Sequence, residues 1–137
     1  GVATARALAM ITYRTDAEFD HRFSCREAAD GGVADYIFAR GADYAAKTSA
    51  ARYLSLSGAI DRHFEEPEAI DAPALFIGVD HDRITPFADM SDLAARHGGE
   101  ARLVKIQSPY GHDAFLKSVD VFSPHIKTFI KETVANV

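Results

Sequence analysis

Ala74-Leu75-Phe76-Ile77-Gly78-Val79, followed by Asp80-His81-Asp82-Arg83-Ile84-Thr85-Pro86, decides the fold class of this 137-residue chain. A continuous apolar run of strand length, bounded by Pro73 and Asp80, fits an interior parallel strand with both faces covered. Thr85-Pro86 then predicts an N-cap and a first-turn proline. Phe87, Met90, Leu93 and Ala94 form the apolar stripe of a helix that ends at Gly98-Gly99. Arg102 to Gln107 alternates, with Val104 and Ile106 on one face and Leu103, Lys105 and Gln107 on the other, as in a strand with one more polar side. Ser123-Pro124 predicts the opening of a last helix whose Ile126, Phe129, Ile130 and Val134 face inward. Strand, helix, strand, loop, helix over residues 70–137 is an α/β pattern.

Upstream the pattern is helical. Val2, Ala5, Leu8, Ala9 and Thr12 recur near a 3.6-residue period, so residues 1–12 read as a buried helix with Arg6 as its one charge. Asp16 and Glu18 fall in the first turn of a short helix over Thr15 to Phe23, where carboxylates complement the helix dipole. Ala29-Asp30-Gly31-Gly32 breaks the chain. Val33, Tyr36, Ile37, Arg40 and Tyr44 share a face of a further helix, and Tyr53, Leu56 and Ile60 a face of the next. Two short amphipathic helices cannot bury both faces alone, so residues 33–63 are expected to cap a cleft or pair with another subunit.

Bulk properties narrow the function classes. With 47% apolar and 26% charged residues, the chain has the composition of a globular domain, and 137 residues are one ordinary domain's worth. A net charge of −5 without a local Lys/Arg cluster speaks against nucleic acid as a partner. The longest apolar runs, Ala7 to Ile11 and Ala72 to Val79, fall short of a bilayer span, and no membrane association is expected. A single cysteine, Cys25, fits a reducing compartment, so the cytoplasm is the expected location. The chain opens at Gly1 within helix-like sequence, which suggests a processed product, a fragment or one chain of a split protein.

Chemistry concentrates after the two strands. Asp82 lies beyond the carboxyl end of the first, the edge where open α/β sheets place their ligand sites. His112 follows the second, between Gly111 and Asp113. An acid and then a histidine after successive strands is the order in which an α/β-hydrolase sheet delivers the second and third members of a Ser-Asp-His triad. The plainer reading, in which Asp82 caps a helix and His112 is a loop histidine, has equal standing on spacing alone. Asp80 is the competing acid, and strand alternation would point it the same way as Asp82. Asp82 is preferred because it lies further out. No Gly-x-Ser-x-Gly elbow occurs in the chain, so the attacking atom is not among these residues. His81, Asp82, His112 and Asp113 lack metal-binding helix spacing, and no metal is expected. His21, His63, His97, His125 and Cys25 read as structural or solvated. A lone Arg6 in an apolar helix calls for an anionic partner, substrate or structural carboxylate alike.

Gly1-Val2-Ala3-Thr4-Ala5-Arg6, Thr12-Tyr13-Arg14, Arg22-Phe23, Tyr53-Leu54 with Leu56, and above all Ser108-Pro109-Tyr110-Gly111-His112-Asp113-Ala114-Phe115-Leu116 together resemble the C-terminal part of the homoserine O-acyltransferases. The resemblance implies the C-terminal part of an α/β-hydrolase fold: a core helix over 1–14, a helical lid over 15–66, and an α/β core over 67–137. It implies Asp82 and His112 as triad acid and base, with a serine nucleophile supplied from an N-terminal portion or another chain. Arg6 would receive the substrate carboxylate, Tyr13 would contact substrate and Asp113 would hold its ammonium. The implied activity is ping-pong acetyl or succinyl transfer from acyl-CoA, a co-substrate rather than a bound cofactor, to the homoserine hydroxyl in methionine biosynthesis. A homodimer through the lid is implied as well. Departures from the family pattern at His81, Ile84-Thr85, Asp35 and Arg52 bear on the acyl donor and acceptor. Serine or deacetylcephalosporin acyltransferases, an esterase fragment and a non-catalytic dimerisation module are the alternatives.

Overall fold

The computed structural model describes residues 1–24 and 32–135 and divides the chain into two compact units, Gly1–Phe64 and Glu65–Val137. Cys25 and most of the Ala29 to Gly32 break lie outside the described residues.

The first unit is helical: α1 (Val2–Tyr13), α2 (Asp16–Arg22), α3 (Gly32–Lys47) and α4 (Ala50–Asp61). Helix α1 packs on α3 at close range, because a Cβ at Gly41 would lie 2.5 Å from the Ala3 carbonyl oxygen. Ala7, Met10 and Ile37 are the buried apolar side chains here, whereas Leu8 and Ile11 are exposed. The helix over 1–12 is thus present, but its buried face differs from the expected one. The reason is physical: a helix apolar nearly all round carries no periodic signal for its face, and the small residues Ala3 and Ala7 admit the closest neighbour.

Helix α2 begins where Thr15 accepts a hydrogen bond from the Glu18 N–H, and α4 begins where Ser49 accepts one from Arg52. First-turn Glu18 is buried and pairs with buried Arg14 at 3.1 Å. Phe23 stacks on Phe19 and tilts against Tyr36, tying α2 to α3. The ring of Tyr44 on α3 meets Tyr53 of α4 edge to face.

The second unit is a two-stranded parallel sheet with helices: β1 (Ala74–Val79), α5 (Phe87–Arg96), β2 (Ala101–Ile106), α6 (Ala114–Lys117) and α7 (Val119–Ala135). Register runs from Ala74 opposite Ala101 to Val79 opposite Ile106. Val79, Ile106 and Ala114 form its buried centre, with Ile77, Val104, Tyr110 and Phe122 against them. The α/β class is therefore as expected.

Three local expectations are corrected. Pro86, not Thr85, holds the N-cap position of α5, and no side chain caps that end. Gly98 and Gly99 do not end α5 through a left-handed turn, since neither has positive φ. They permit close approach instead: a Cβ on Gly98 would lie 2.3 Å from the Glu68 carbonyl oxygen, and one on Gly99 2.2 Å from that of Asp71. The last helix does not open at Ser123-Pro124, because α7 runs from Val119 with Pro124 inside it. Val121 and Phe122 donate to the Ser118 carbonyl at 3.0 and 3.2 Å, which starts the helix a turn early. So near the start, Pro124 removes a single ladder bond and the helix tolerates it. No described helix is long and apolar enough to cross a membrane.

Candidate functional site

At the carboxyl end of β1 the chain turns sharply. Asp80 N–H donates to the Ile106 carbonyl at 2.8 Å, His81 takes φ +64°, and Asp82 N–H reaches back to Val79 at 3.3 Å. Left-handed backbone is uncommon outside glycine, though histidine is among the residues that adopt it more readily. Here it breaks the strand alternation, and the two acids part company. Asp80 pairs with Lys105 Nζ of β2 at 3.0 Å, and that ammonium holds its carboxyl below the ordinary value. The Asp82 carboxylate meets His112 Nδ1 at 2.9 Å.

His112 is delivered by a short 3₁₀ turn, Gly111–Asp113, whose buried Gly111 has φ +55°. The excursion from β2 to α6 is fastened at its base. Ser108 Oγ and Ser118 Oγ lie 2.9 Å apart, both buried, and Tyr110 N–H donates to Ser108 Oγ at 3.3 Å. Phe115 packs its ring edge-on to the imidazole.

Asp82 is a saturated acceptor. Its Oδ1 takes the Ile84 and Thr85 N–H groups at 2.8 and 3.0 Å, while Oδ2 takes the Thr85 hydroxyl at 3.1 Å as well as His112. Burial pushes this carboxyl up. Hydrogen bonds from Thr85, His112 and Ile84 outweigh that effect and hold it below the ordinary value. The side chain of Asp82 is only 6% exposed and that of His112 is 31% exposed, so the acid is enclosed and the ring is reachable. A cleft of about 280 Å³ opens beside them, walled by Ile77, Val79, Met90 and Phe115.

In the first unit, Arg6 and Tyr13 lie together, with company that the sequence did not suggest. The Arg6 guanidinium lies 5.3 Å from the ring centroids of both Tyr13 and Tyr44. It makes no ion pair with a carboxylate among the described residues, and it lines a cavity of about 310 Å³ with Tyr13, Tyr44, Tyr53 and Ser57. A cation held near aromatic rings rather than by a carboxylate keeps N–H donors available for an anion. Asp113 sits beside His112 in the 3₁₀ turn, its N–H donating to the Tyr110 carbonyl at 3.2 Å. Arg6 and Tyr13 thus belong to the first unit and Asp82, His112 and Asp113 to the second.

Thr85, Tyr44 and Tyr53 are the residues that sequence reasoning did not place at a site. Thr85 was masked by its apparent fitness as a cap before Pro86. Tyr44 and Tyr53 look like core aromatics at helical spacing. Among the described residues no group of three or more His, Cys, Asp or Glu could hold a metal ion.

Comparison with known proteins bears on the family of the chain. No family model matches the chain. A homoserine O-succinyltransferase of Xanthomonas campestris pv. campestris is 40% identical to it over 138 residues, covering 97% of this chain and 37% of the relative. A homoserine O-acetyltransferase of Salinibacter ruber is 31% identical over 94% of the chain, and one of Corynebacterium diphtheriae is 32% identical over 85%. The chain spans 40% and 38% of the lengths of those two relatives.

Proposed function

The chain belongs to the homoserine O-acyltransferase family, and from that premise we propose that it is the C-terminal part of a CoA-dependent enzyme of this kind, built on an α/β-hydrolase fold. Residues 15–66 act as its helical lid. Asp82 and His112 are the acid and base of a Ser-Asp-His triad, and the serine comes from polypeptide outside these 137 residues. The observation that carries this reading is the Asp82–His112 bond of 2.9 Å beyond the ends of two parallel strands. Because Asp82 engages Nδ1, the other ring nitrogen, Nε2, is the one that takes the serine proton.

Two half-reactions follow. The serine oxygen attacks the acyl thioester as its proton passes to Nε2, and the departing CoA sulfur recovers that proton. The acceptor hydroxyl then gives its proton to Nε2 and attacks the acyl-serine carbonyl; the serine oxygen leaves with that proton, returned from Nε2, as the ester product departs. Arg6, flanked by tyrosine faces, receives the acceptor's carboxylate with Tyr13 beside it, and Asp113 holds the ammonium. No resident cofactor is needed, and the product serves methionine biosynthesis. Exposed Phe38, Leu54, Leu56 and Ile60 on α3 and α4 support pairing of the lid helices with a second copy.

Thiol release from acetyl-CoA and from succinyl-CoA, each with L-homoserine and the intact protein that carries these residues, tests the reading. His112→Ala should lower kcat by about four orders of magnitude. Arg6→Ala should raise the homoserine KM while leaving the acyl-enzyme burst intact. Absence of homoserine-dependent thiol release with both donors would sink the assignment.

A further inference from the structure

We propose that Thr85 is a positioning residue for His112: its hydroxyl donates to Asp82 Oδ2 and offers a lone pair to the His112 Nδ1 proton, which fixes the tautomer and orientation of the ring. The proposal rests on the reading of Asp82 and His112 as an acid–base pair. An ionised carboxylate has no proton to give, so across the 3.1 Å between Thr85 Oγ1 and Asp82 Oδ2 the hydroxyl must be the donor. Only lone pairs then remain on Oγ1 to face His112 Nδ1, which lies 3.2 Å away. A proton on Nδ1 thus has two acceptors, Asp82 Oδ2 at 2.9 Å and Thr85 Oγ1. A bare Nδ1 would meet lone pairs on both. Rotating the ring by a half turn would put a C–H group there and lose both contacts.

The local backbone places the hydroxyl for this task. Asp82 Oδ1 gathers the Ile84 and Thr85 N–H groups, which folds the segment after β1 back over the carboxylate. Pro86 occupies the N-cap position of α5, where no side chain caps, so the Thr85 hydroxyl has no part in starting that helix. That hydroxyl meets Asp82 and His112, the two groups whose geometry the chemistry needs. Thr85 borders the cleft, and its hydroxyl meets Nδ1, not the Nε2 that takes the proton. It acts through His112.

Thr85→Val keeps the volume and removes the hydroxyl, Thr85→Ala repeats the removal should the valine variant misfold, and Thr85→Ser restores it. The intact protein is labelled with ¹⁵N-histidine, and the downfield Nδ1 proton of His112 is followed by NMR, with far-UV circular dichroism as the check on folding. The expected result in the hydroxyl-free variants is a shifted Nδ1 proton signal that exchanges with water about five- to tenfold faster. The kcat should fall by a similar factor at unchanged KM, and Thr85→Ser should match the parent in both measurements. An Nδ1 proton with parental shift and lifetime in folded Thr85→Val or Thr85→Ala overturns the proposal, as does a serine variant that behaves like the valine one. Loss of the acyl-transfer reading itself would show as inactivity of the parent protein. The Nδ1 signal would still decide the role of Thr85.

Discussion

At Asp82 the balance between burial and hydrogen bonding sets a pH dependence whose sign can be worked out. Its carboxyl titrates below the ordinary carboxylate value in the folded chain: burial pushes it up, and bonds from Thr85, His112 and Ile84 outweigh that desolvation. The unfolded state therefore binds this proton more readily, and the stabilisation is fully present above the ordinary carboxylate range. It is lost as the pH falls through the depressed folded value. Urea unfolding between pH 6 and pH 2 should show a steeper acid loss in the parent than in Asp82→Asn; equal slopes would exclude Asp82 as a contributor. The site was half legible in sequence. Spacing brought Asp82 and His112 together on paper, but alternation could not separate Asp82 from Asp80. That choice is made by the left-handed turn at His81 and by Lys105 on the neighbouring strand, which draws Asp80 aside. Neither has a signal in the local sequence. Thr85 escapes sequence reading for a related reason: Thr-Pro is as good a helix start as it is a polar turn, and only the placement of His112 distinguishes the two.

For the helices and strands, periodicity read the order correctly and erred where packing, not propensity, chose. The strand over 74–79 agrees with its structural bounds, and the second is offset by one residue, as Ala101–Ile106. For α1 the periodicity predicts the wrong buried face, since Leu8 is exposed and Ala7 buried. The deciding partner, Gly41 on α3, is far away in sequence and could not be weighed. A test follows at this scale. Gly41→Ala puts a methyl group 2.5 Å from the Ala3 carbonyl oxygen, so α1 and α3 must separate. The expected cost is about 1–3 kcal/mol, read from the denaturant midpoint. Gly58→Ala, whose added Cβ would meet the flexible Arg62 side chain at 3.1 Å, is the control that should cost far less. Equal losses in the two variants would mean that the close α1–α3 approach is not what Gly41 secures. Gly98 and Gly99 likewise follow α5 for a reason other than a left-handed cap. What they admit is the backbone of residues 68–71, a tertiary neighbour.

For the molecule as a whole, the relatives align along nearly all of this chain while it covers 37–40% of their own lengths in the three compared. If the serine comes from other polypeptide, as proposed, the small sheet is where that polypeptide would join. Strand β1 reads as an interior strand, yet within the described residues it pairs with β2 alone. Ala74 N–H donates to Glu100 and Asp80 N–H to Ile106, each at 2.8 Å. Alternation puts the amides of Phe76 and Gly78 on that same side. The amides of Leu75, Ile77 and Val79 point to the other edge. In deuterated water the 137-residue polypeptide should then keep protium at the even-numbered positions of β1 and surrender it quickly at the odd ones. When polypeptide carrying the serine completes the sheet, the odd-numbered amides should fall silent as well. Slow exchange at all six positions in the polypeptide alone would contradict an open edge. Three backbone protons thus form a counter for assembly, readable without substrate, thioester or turnover.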